Sequence, residues 1–180
     1  MNIPDQSALR SFAGREALRV EAAMRADLAE ALAGCDPLLV EVIDYGLFGG
    51  GKRIRPLLAI LAARLCGASD PALYILAGAF EYLHVATLIH DDVIDQARVR
   101  RGREALCRKY GAAPAILAGD WLHARSLYLV GRCAGSEGLS VFCRATTGMV
   151  DGEFLQIRHV ADWALTEAEY FAIIERKIAL

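Results

Sequence analysis

Apolar residues recur at helical intervals along almost the whole chain, and no sustained two-residue alternation interrupts them. From Gln6 to Ala33, Ala and Leu alternate with Arg, Glu and Asp until Gly34 stops the run, which predicts an amphipathic helix. Asp36-Pro37 and Asp70-Pro71 each set a capping carboxylate before a proline whose missing N–H costs nothing at a helix start. Thr166 with Glu169 has capping-box spacing and opens another helix towards the C-terminal end. The pattern predicts an all-α chain, with helices near 6–33, 37–48, 54–66, 71–95, 112–132, 138–159 and 167–180. No Gly-, Ser- or Pro-rich linker divides it, so residues 1–180 read as a single helical domain long enough to bury a core. The last helix has no stop signal before Leu180, which points to the N-terminal portion of a larger domain.

The stretch ALYILAGAFEYLHVATLIHDDVID, Ala72 to Asp95, carries the most information. Its polar residues Glu81, His84, Thr87, Asp91, Asp92 and Asp95 fall within an arc of about 140° on a helix, and apolar side chains cover most of the rest. His90 lies opposite and reads as a satisfied core histidine. The stripe faces either solvent or a cavity lined for a polar ligand. Asp91 and Asp95 are four residues apart, where like charges oppose each other by a few tenths of a kcal/mol. Asp92 adds a third carboxylate at a helix C-terminus, where the macrodipole already disfavours negative charge. Such a cluster calls for a cation, and oxygen-only ligands suit Mg2+ better than zinc.

Charge sharpens this picture. Twenty Lys and Arg against 22 Asp and Glu leave a net charge of -2, so no bulk basic field draws the chain to nucleic acid or to an anionic membrane. Any anion site must be a local cluster. Lys52, Arg53 and Arg55 follow Gly49-Gly50-Gly51, and Arg98, Arg100, Arg101 and Arg103 follow the aspartates. Two basic clusters bracketing an acidic trio point to an oxyanion ligand that bridges to the metal, a phosphate or diphosphate. Gly46 to Lys52 also has the GxxxxGK spacing of a nucleotide loop, but Arg53 stands where Ser or Thr should hold Mg2+ and the preceding DPLLVEVIDY reads as a helix.

The remaining signals are bland. Cys35, Cys66, Cys107, Cys133 and Cys143 form an odd set without a CxxC pair, which predicts buried free thiols in a reducing compartment. The N-terminus lacks the order of a signal peptide, and Arg64 and Glu81 interrupt the two most apolar stretches, so a cytoplasmic chain without a transmembrane segment is expected. Glu81 is placed to orient His84 or Lys52, or to serve structure alone. Trp121 and Trp163 read as packing residues, His123 lacks partners at metal spacing, and His159 falls near a helix end.

Three motifs, in order and spacing, resemble the trans-isoprenyl diphosphate synthases, the polyprenyl synthetase family: GGKRIRP (Gly50 to Pro56), HVATLIHDDVID (His84 to Asp95) and RRG (Arg100 to Gly102). GDWL around Asp120, GEFLQ (Gly152 to Gln156) and the terminal ERKIAL are weaker matches. The resemblance implies the isoprenoid synthase type I fold, a bundle of mostly antiparallel helices around a central cavity. It implies a prenyltransferase that joins isopentenyl diphosphate to an allylic diphosphate, working as a homodimer. Lys52, Arg55, His84 and Arg101 would hold isopentenyl diphosphate. Asp91 and Asp95 would ligate Mg2+ bridging the allylic diphosphate, with Asp92 in support. Arg100 and Lys177 would contact that same diphosphate and complete the catalytic set, and Gln156 would face a second metal cluster. Ala86, five residues before Asp91, occupies the position that sets product length, and its small side chain implies a medium- or long-chain product.

Two departures from the family pattern stand out. The second aspartate-rich motif, which the family carries beyond its lysine-threonine motif, is absent from these 180 residues, and Ile178 replaces the usual Thr. They keep open a catalytically incomplete homologue that binds diphosphates or pairs with a complete synthase subunit. A class I terpene cyclase is the third reading, but it would not need the second diphosphate site that GGKRIRP and RRG imply.

Overall fold

Helix starts follow local chemistry. Asp36 caps its helix by accepting a 2.8 Å hydrogen bond from the Leu38 N–H, with Pro37 at the first helical position. Asp70 accepts from the Ala72 N–H at 2.7 Å in the same way. The computed structural model describes residues 6–179, with side chains from 7 to 177. Its helices are α1 (Gln6–Ala31), α2 (Pro37–Leu47), α3 (Ile54–Leu65), α4 (Ala72–Ile94), α5 (Leu106–Tyr110), α6 (Ala112–Arg158) and α7 (Glu167–Ile174), followed by a π-helical turn at Glu175–Ala179. The described residues are all-α apart from one antiparallel hairpin, β1 (Val99–Arg100) and β2 (Arg103–Glu104), which the sequence pattern does not predict. Two residues per strand leave no alternation to read.

The fold divides into two compact units, residues 1–129 and 130–180. In the first unit α4 is the hub, packed by α1, α2, α3 and α5. It buries Leu73, Ala77, Tyr82, Val85, Ala86 and Ile89 together with two acids, Glu81 and Asp92. On length and composition α4 could cross a membrane, contrary to the expectation that Glu81 interrupts it, but half of its apolar window is buried inside the protein. Apolar residues on nearly every side are what a helix surrounded by other helices requires.

Elsewhere the structure amends several expectations. Predicted helices 112–132 and 138–159 join as α6, with a break where Gly135 leaves helical geometry at φ 65° and ψ -167°. The last helix is shorter than the predicted 167–180 because the π-helical turn replaces its end. Its capping box is present: Thr166 Oγ1 accepts from the Glu169 N–H at 3.3 Å, and Glu169 Oε2 accepts from the Thr166 N–H at 2.8 Å. Trp163 is 98% exposed rather than packed. None of the five free cysteines is buried, and Cys66 and Cys143 are exposed. His90 is half-buried rather than in the core, its Nε2 lying 3.2 Å from the Ile116 carbonyl oxygen and 3.3 Å from Asp120 Oδ1.

Candidate functional site

The acidic end of α4 sorts its three carboxylates by burial. The Asp95 N–H donates to the Asp91 carbonyl at 2.8 Å, so these two residues sit one helical turn apart at the helix end, Asp91 half-buried and Asp95 exposed. Asp92 turns inward, is 3% exposed, and accepts from Arg100 Nε at 2.8 Å and from Arg100 Nη2. That bond raises the Arg100 pKa above its ordinary value, helped by the charges of Asp91 and Asp95 and opposed by partial burial. Among the described residues no three His, Cys, Asp or Glu side chains converge on one metal position. Asp91 and Asp95 therefore offer two carboxylates, and among the described residues no other His, Cys, Asp or Glu joins them. This donor set fits Mg2+, which takes one or two carboxylates and fills its shell with water and substrate phosphate oxygens.

Two basic segments face this end. The hairpin turns through Arg101 at φ 52° and Gly102 at φ 74°, the pair of left-handed residues that a two-residue hairpin loop requires. Gly102 of RRG is thus a turn requirement, and it throws the Arg101 side chain out of the hairpin tip. Arg101 Nη1 donates to the Gly50 carbonyl in the glycine loop. Gly51, at φ 141°, holds a backbone conformation that side chains with a Cβ rarely adopt, and a Cβ there would lie 2.7 Å from Arg101 Nη1, which would have to move. Tyr45 completes the junction, its hydroxyl donating to the Glu104 carbonyl at 2.9 Å and the Arg103 guanidinium lying 4.0 Å from its ring centroid. Between them lies a cavity of about 50 Å³ lined by Tyr45, Gly49, Asp92, Arg100, Arg101 and Leu106.

His84, half-buried on α4, reports the field of these cations. Its pKa is lowered from 6.5 to about 4, first by burial and then by the positive charge of Arg55, with Arg101 and Arg100 adding to it against the raising effect of Glu81. The imidazole is neutral at pH 7. Between pH 6.5 and about 4 the unfolded chain binds a proton that the folded one refuses, so stability rises with pH across this window. His84's contribution is complete above 6.5 and is lost as pH falls through the folded value. An NMR titration of the His84 ring is expected to give a midpoint well below 6.5, and Arg55→Ala is expected to raise it. An unchanged midpoint in that variant would separate Arg55 from the site.

In the second unit, Lys177 Nζ lies 2.5 Å from Glu153 Oε2 and donates to Gln156 Oε1 at 2.8 Å. Arg176 pairs with Asp151 at 2.7 Å. Gly152 permits this: a Cβ there would stand 2.8 Å from the Lys177 backbone nitrogen. The GEFLQ segment and the terminal lysine are therefore one local cluster, and a π-helical turn carries the lysine. The side chain at Ile178 lies outside the described residues.

The family model for polyprenyl synthetase matches residues 36–180. The chain belongs to the polyprenyl synthetase family. Octaprenyl diphosphate synthase of Haemophilus influenzae is 38% identical over 143 residues, covering 79% of this chain and 44% of the relative. The octaprenyl diphosphate synthase of Escherichia coli is 35% identical over 158 residues, 88% of this chain and 49% of its own length. The chain thus spans about half the length of the curated relatives it matches. Among solved structures, a Caulobacter crescentus polyprenyl synthase complexed with calcium and isoprenyl diphosphate superposes with a TM-score of 0.78 at 36% identity, over 92% of this chain and 51% of that one. A decaprenyl diphosphate synthase from Rhodobacter capsulatus gives 0.85 at 32% identity, over 96% and 52%. The isoprenoid synthase type I fold is therefore the fold of this chain.

Within this polyprenyl synthetase unit, Asp91, Asp92, Asp95 and Arg100 meet at the end of α4, and the charges of Arg55, Arg100 and Arg101 reach His84. Lys52 is exposed in the loop before α3, and Arg55 is exposed in the first turn of α3. Ala86 is buried, 2% exposed, among the helices around α4. Glu81 orients neither His84 nor Lys52 by a hydrogen bond. It pairs with Arg53 at 2.7 Å, both buried, and so removes Arg53 from the exposed basic cluster. Tyr45 has no role in the sequence pattern, and Arg103, which reads there as one of the second basic cluster, lies against the Tyr45 ring instead. Their signal was available in part, because a two-residue turn ending in Gly102 announces a hairpin whose neighbours must be held by something.

Proposed function

We propose that this chain supplies the isopentenyl diphosphate site and the first metal site of a prenyltransferase that elongates an allylic diphosphate to a medium- or long-chain polyprenyl diphosphate. The observation that carries the reading is the junction of Asp91, Asp95, Arg100 and Arg101 at one end of α4, beside Arg55 and a neutral His84. Two diphosphates carry several negative charges and share a pocket only where cations offset their repulsion. Lys52, Arg55 and Arg101 would hold isopentenyl diphosphate, and His84, neutral and able to donate one N–H, would orient it. Asp91 and Asp95 would hold Mg2+ against the allylic diphosphate, with Arg100 aimed at the same group by Asp92. The metal, when bound, supplies Lewis-acid stabilisation of the departing pyrophosphate. The apolar body of α4 keeps water from the allylic centre as its carbon–oxygen bond ionises, the isopentenyl double bond attacks, and the released pyrophosphate takes the proton that the resulting cation loses. Lys177 and Gln156 are assigned by the same resemblance to the allylic diphosphate and a second metal cluster, and Ala86 to the length of the product.

The names of the relatives support this reading, as does the Caulobacter crescentus structure with its calcium and isoprenyl diphosphate. A homodimer and a cytoplasmic location belong to the same proposal, the second supported by five unpaired thiols. The test is incorporation of labelled isopentenyl diphosphate into longer allylic products, with and without Mg2+. Magnesium-dependent elongation is the expected result. Binding of isopentenyl diphosphate without turnover would instead favour the incomplete homologue, and release of a cyclic hydrocarbon with no need for isopentenyl diphosphate would favour a terpene cyclase.

A further inference from the structure

Of the three cations that follow the glycine run, Lys52 and Arg53 in the loop and Arg55 in the first turn of α3, Arg53 is the odd one. Lys52 and Arg55 are exposed, whereas Arg53 is 5% exposed. Its Nη1 donates to Glu81 Oε1 at 2.7 Å and its Nη2 to the Leu47 carbonyl at 2.8 Å, with Glu21 Oε2 3.8 Å away. One guanidinium therefore ties the loop to α4, to the last turn of α2 and to α1. The backbone at Arg53 is left-handed, φ 50° and ψ 37°, a conformation that disfavours a residue with a Cβ and persists only where the surroundings over-determine it. The fork of the side chain provides that determination. Each Nη donates one hydrogen bond to a protein oxygen and the side chain is buried, so Arg53 is not presented as a third diphosphate ligand.

We infer that Arg53 and Glu81 are positioning residues, a buried ion pair that fixes the reversal of the chain between α2 and α3 so that Lys52 and Arg55 are presented together to isopentenyl diphosphate. The inference rests on the proposed function for its ligand, but not for its geometry. Loss of the pair frees the backbone at residue 53 to leave the left-handed region. Lys52 and Arg55 keep their charges and lose their aim.

The test uses the full chain with Arg53→Met/Glu81→Met, because an apolar pair of similar volume replaces a buried ion pair with little loss of stability. Arg53→Lys is the second variant, keeping the charge but not the planar fork. Three quantities are read: the thermal midpoint by circular dichroism, the rate of tryptic cleavage after Lys52, and the affinity for isopentenyl diphosphate by calorimetry. Expected are a near wild-type midpoint, cleavage at least tenfold faster, and affinity at least tenfold weaker in a folded variant. A merely structural pair would regain affinity and protease resistance once the apolar pair restored the midpoint, and values within twofold of wild type would overturn the inference. If the double variant fails to fold, the same thresholds on Arg53→Lys decide. Should the wild-type chain bind no isopentenyl diphosphate, the proposed function fails, and the cleavage rate alone decides the role of the pair.

Discussion

Asp91→Asn is expected to weaken magnesium-dependent binding of an allylic diphosphate by about a hundredfold or more, close to 3 kcal/mol. The expectation follows from how few ligands the protein offers. Asp91 and Asp95 stand one turn apart and no third described side chain joins them, so loss of either charge removes half of the protein's hold on the ion. The diphosphate then meets Arg100 with less metal to offset its charge. Calorimetry with the diphosphate, at saturating Mg2+ and again with chelator, measures the effect. Asp92→Asn is the informative contrast. Asp92 is buried against Arg100, so its replacement should leave the metal dependence in place while releasing the guanidinium that it aims. Equal losses in the two variants would erase the division of labour between the carboxylates.

Asp27→Ala carries the largest expected cost in stability, about 3–5 kcal/mol for the first unit. Asp27 is 8% exposed and accepts from Arg125 Nη2 at 2.6 Å on one oxygen and from Arg125 Nε at 3.1 Å on the other. The Tyr82 hydroxyl, fully buried on α4, also lies 3.1 Å from Asp27 Oδ2. Burial first, and then the Asp27 charge, push the Tyr82 pKa well above its usual value, so the phenol remains a donor at every physiological pH. Removing the carboxylate leaves the Arg125 guanidinium, on a side chain 17% exposed, without its bidentate partner, while Tyr82 keeps only the Met24 carbonyl at 3.1 Å. Urea unfolding followed at 222 nm, about the helix signal, measures the loss. A cost below about 1 kcal/mol would show that the pair behaves as a surface ion pair.

Both variants bear on how much of this protein can be read before it is folded. The capping carboxylates at Asp36 and Asp70 and the box at Thr166 are local, and all three hold in the structure. The acidic trio was equally legible, since helical periodicity alone puts Asp91 and Asp95 on one face. Arg53 and Glu81 were not. Charge is the strongest signal of exposure that a sequence carries, and a cation between two cations reads as part of their cluster until a partner 28 residues away is seen to bury it. His90 shows the reverse: the helical wheel placed it away from the polar stripe, but the face it occupies lies beside Asp120 and remains half open. The hairpin was invisible to pattern because each strand has two residues, and only its turn chemistry speaks.

The bond from Arg101 to the Gly50 carbonyl already engages the guanidinium proposed to hold isopentenyl diphosphate. Its guanidinium does not wander through solvent waiting for a ligand, so little rotamer freedom is left to surrender on capture. An incoming phosphate competes with one peptide oxygen, a weaker acceptor than itself. On the proposed reading, selectivity follows from this exchange: neutral acceptors offer nothing better than what the arginine already has, and anions do.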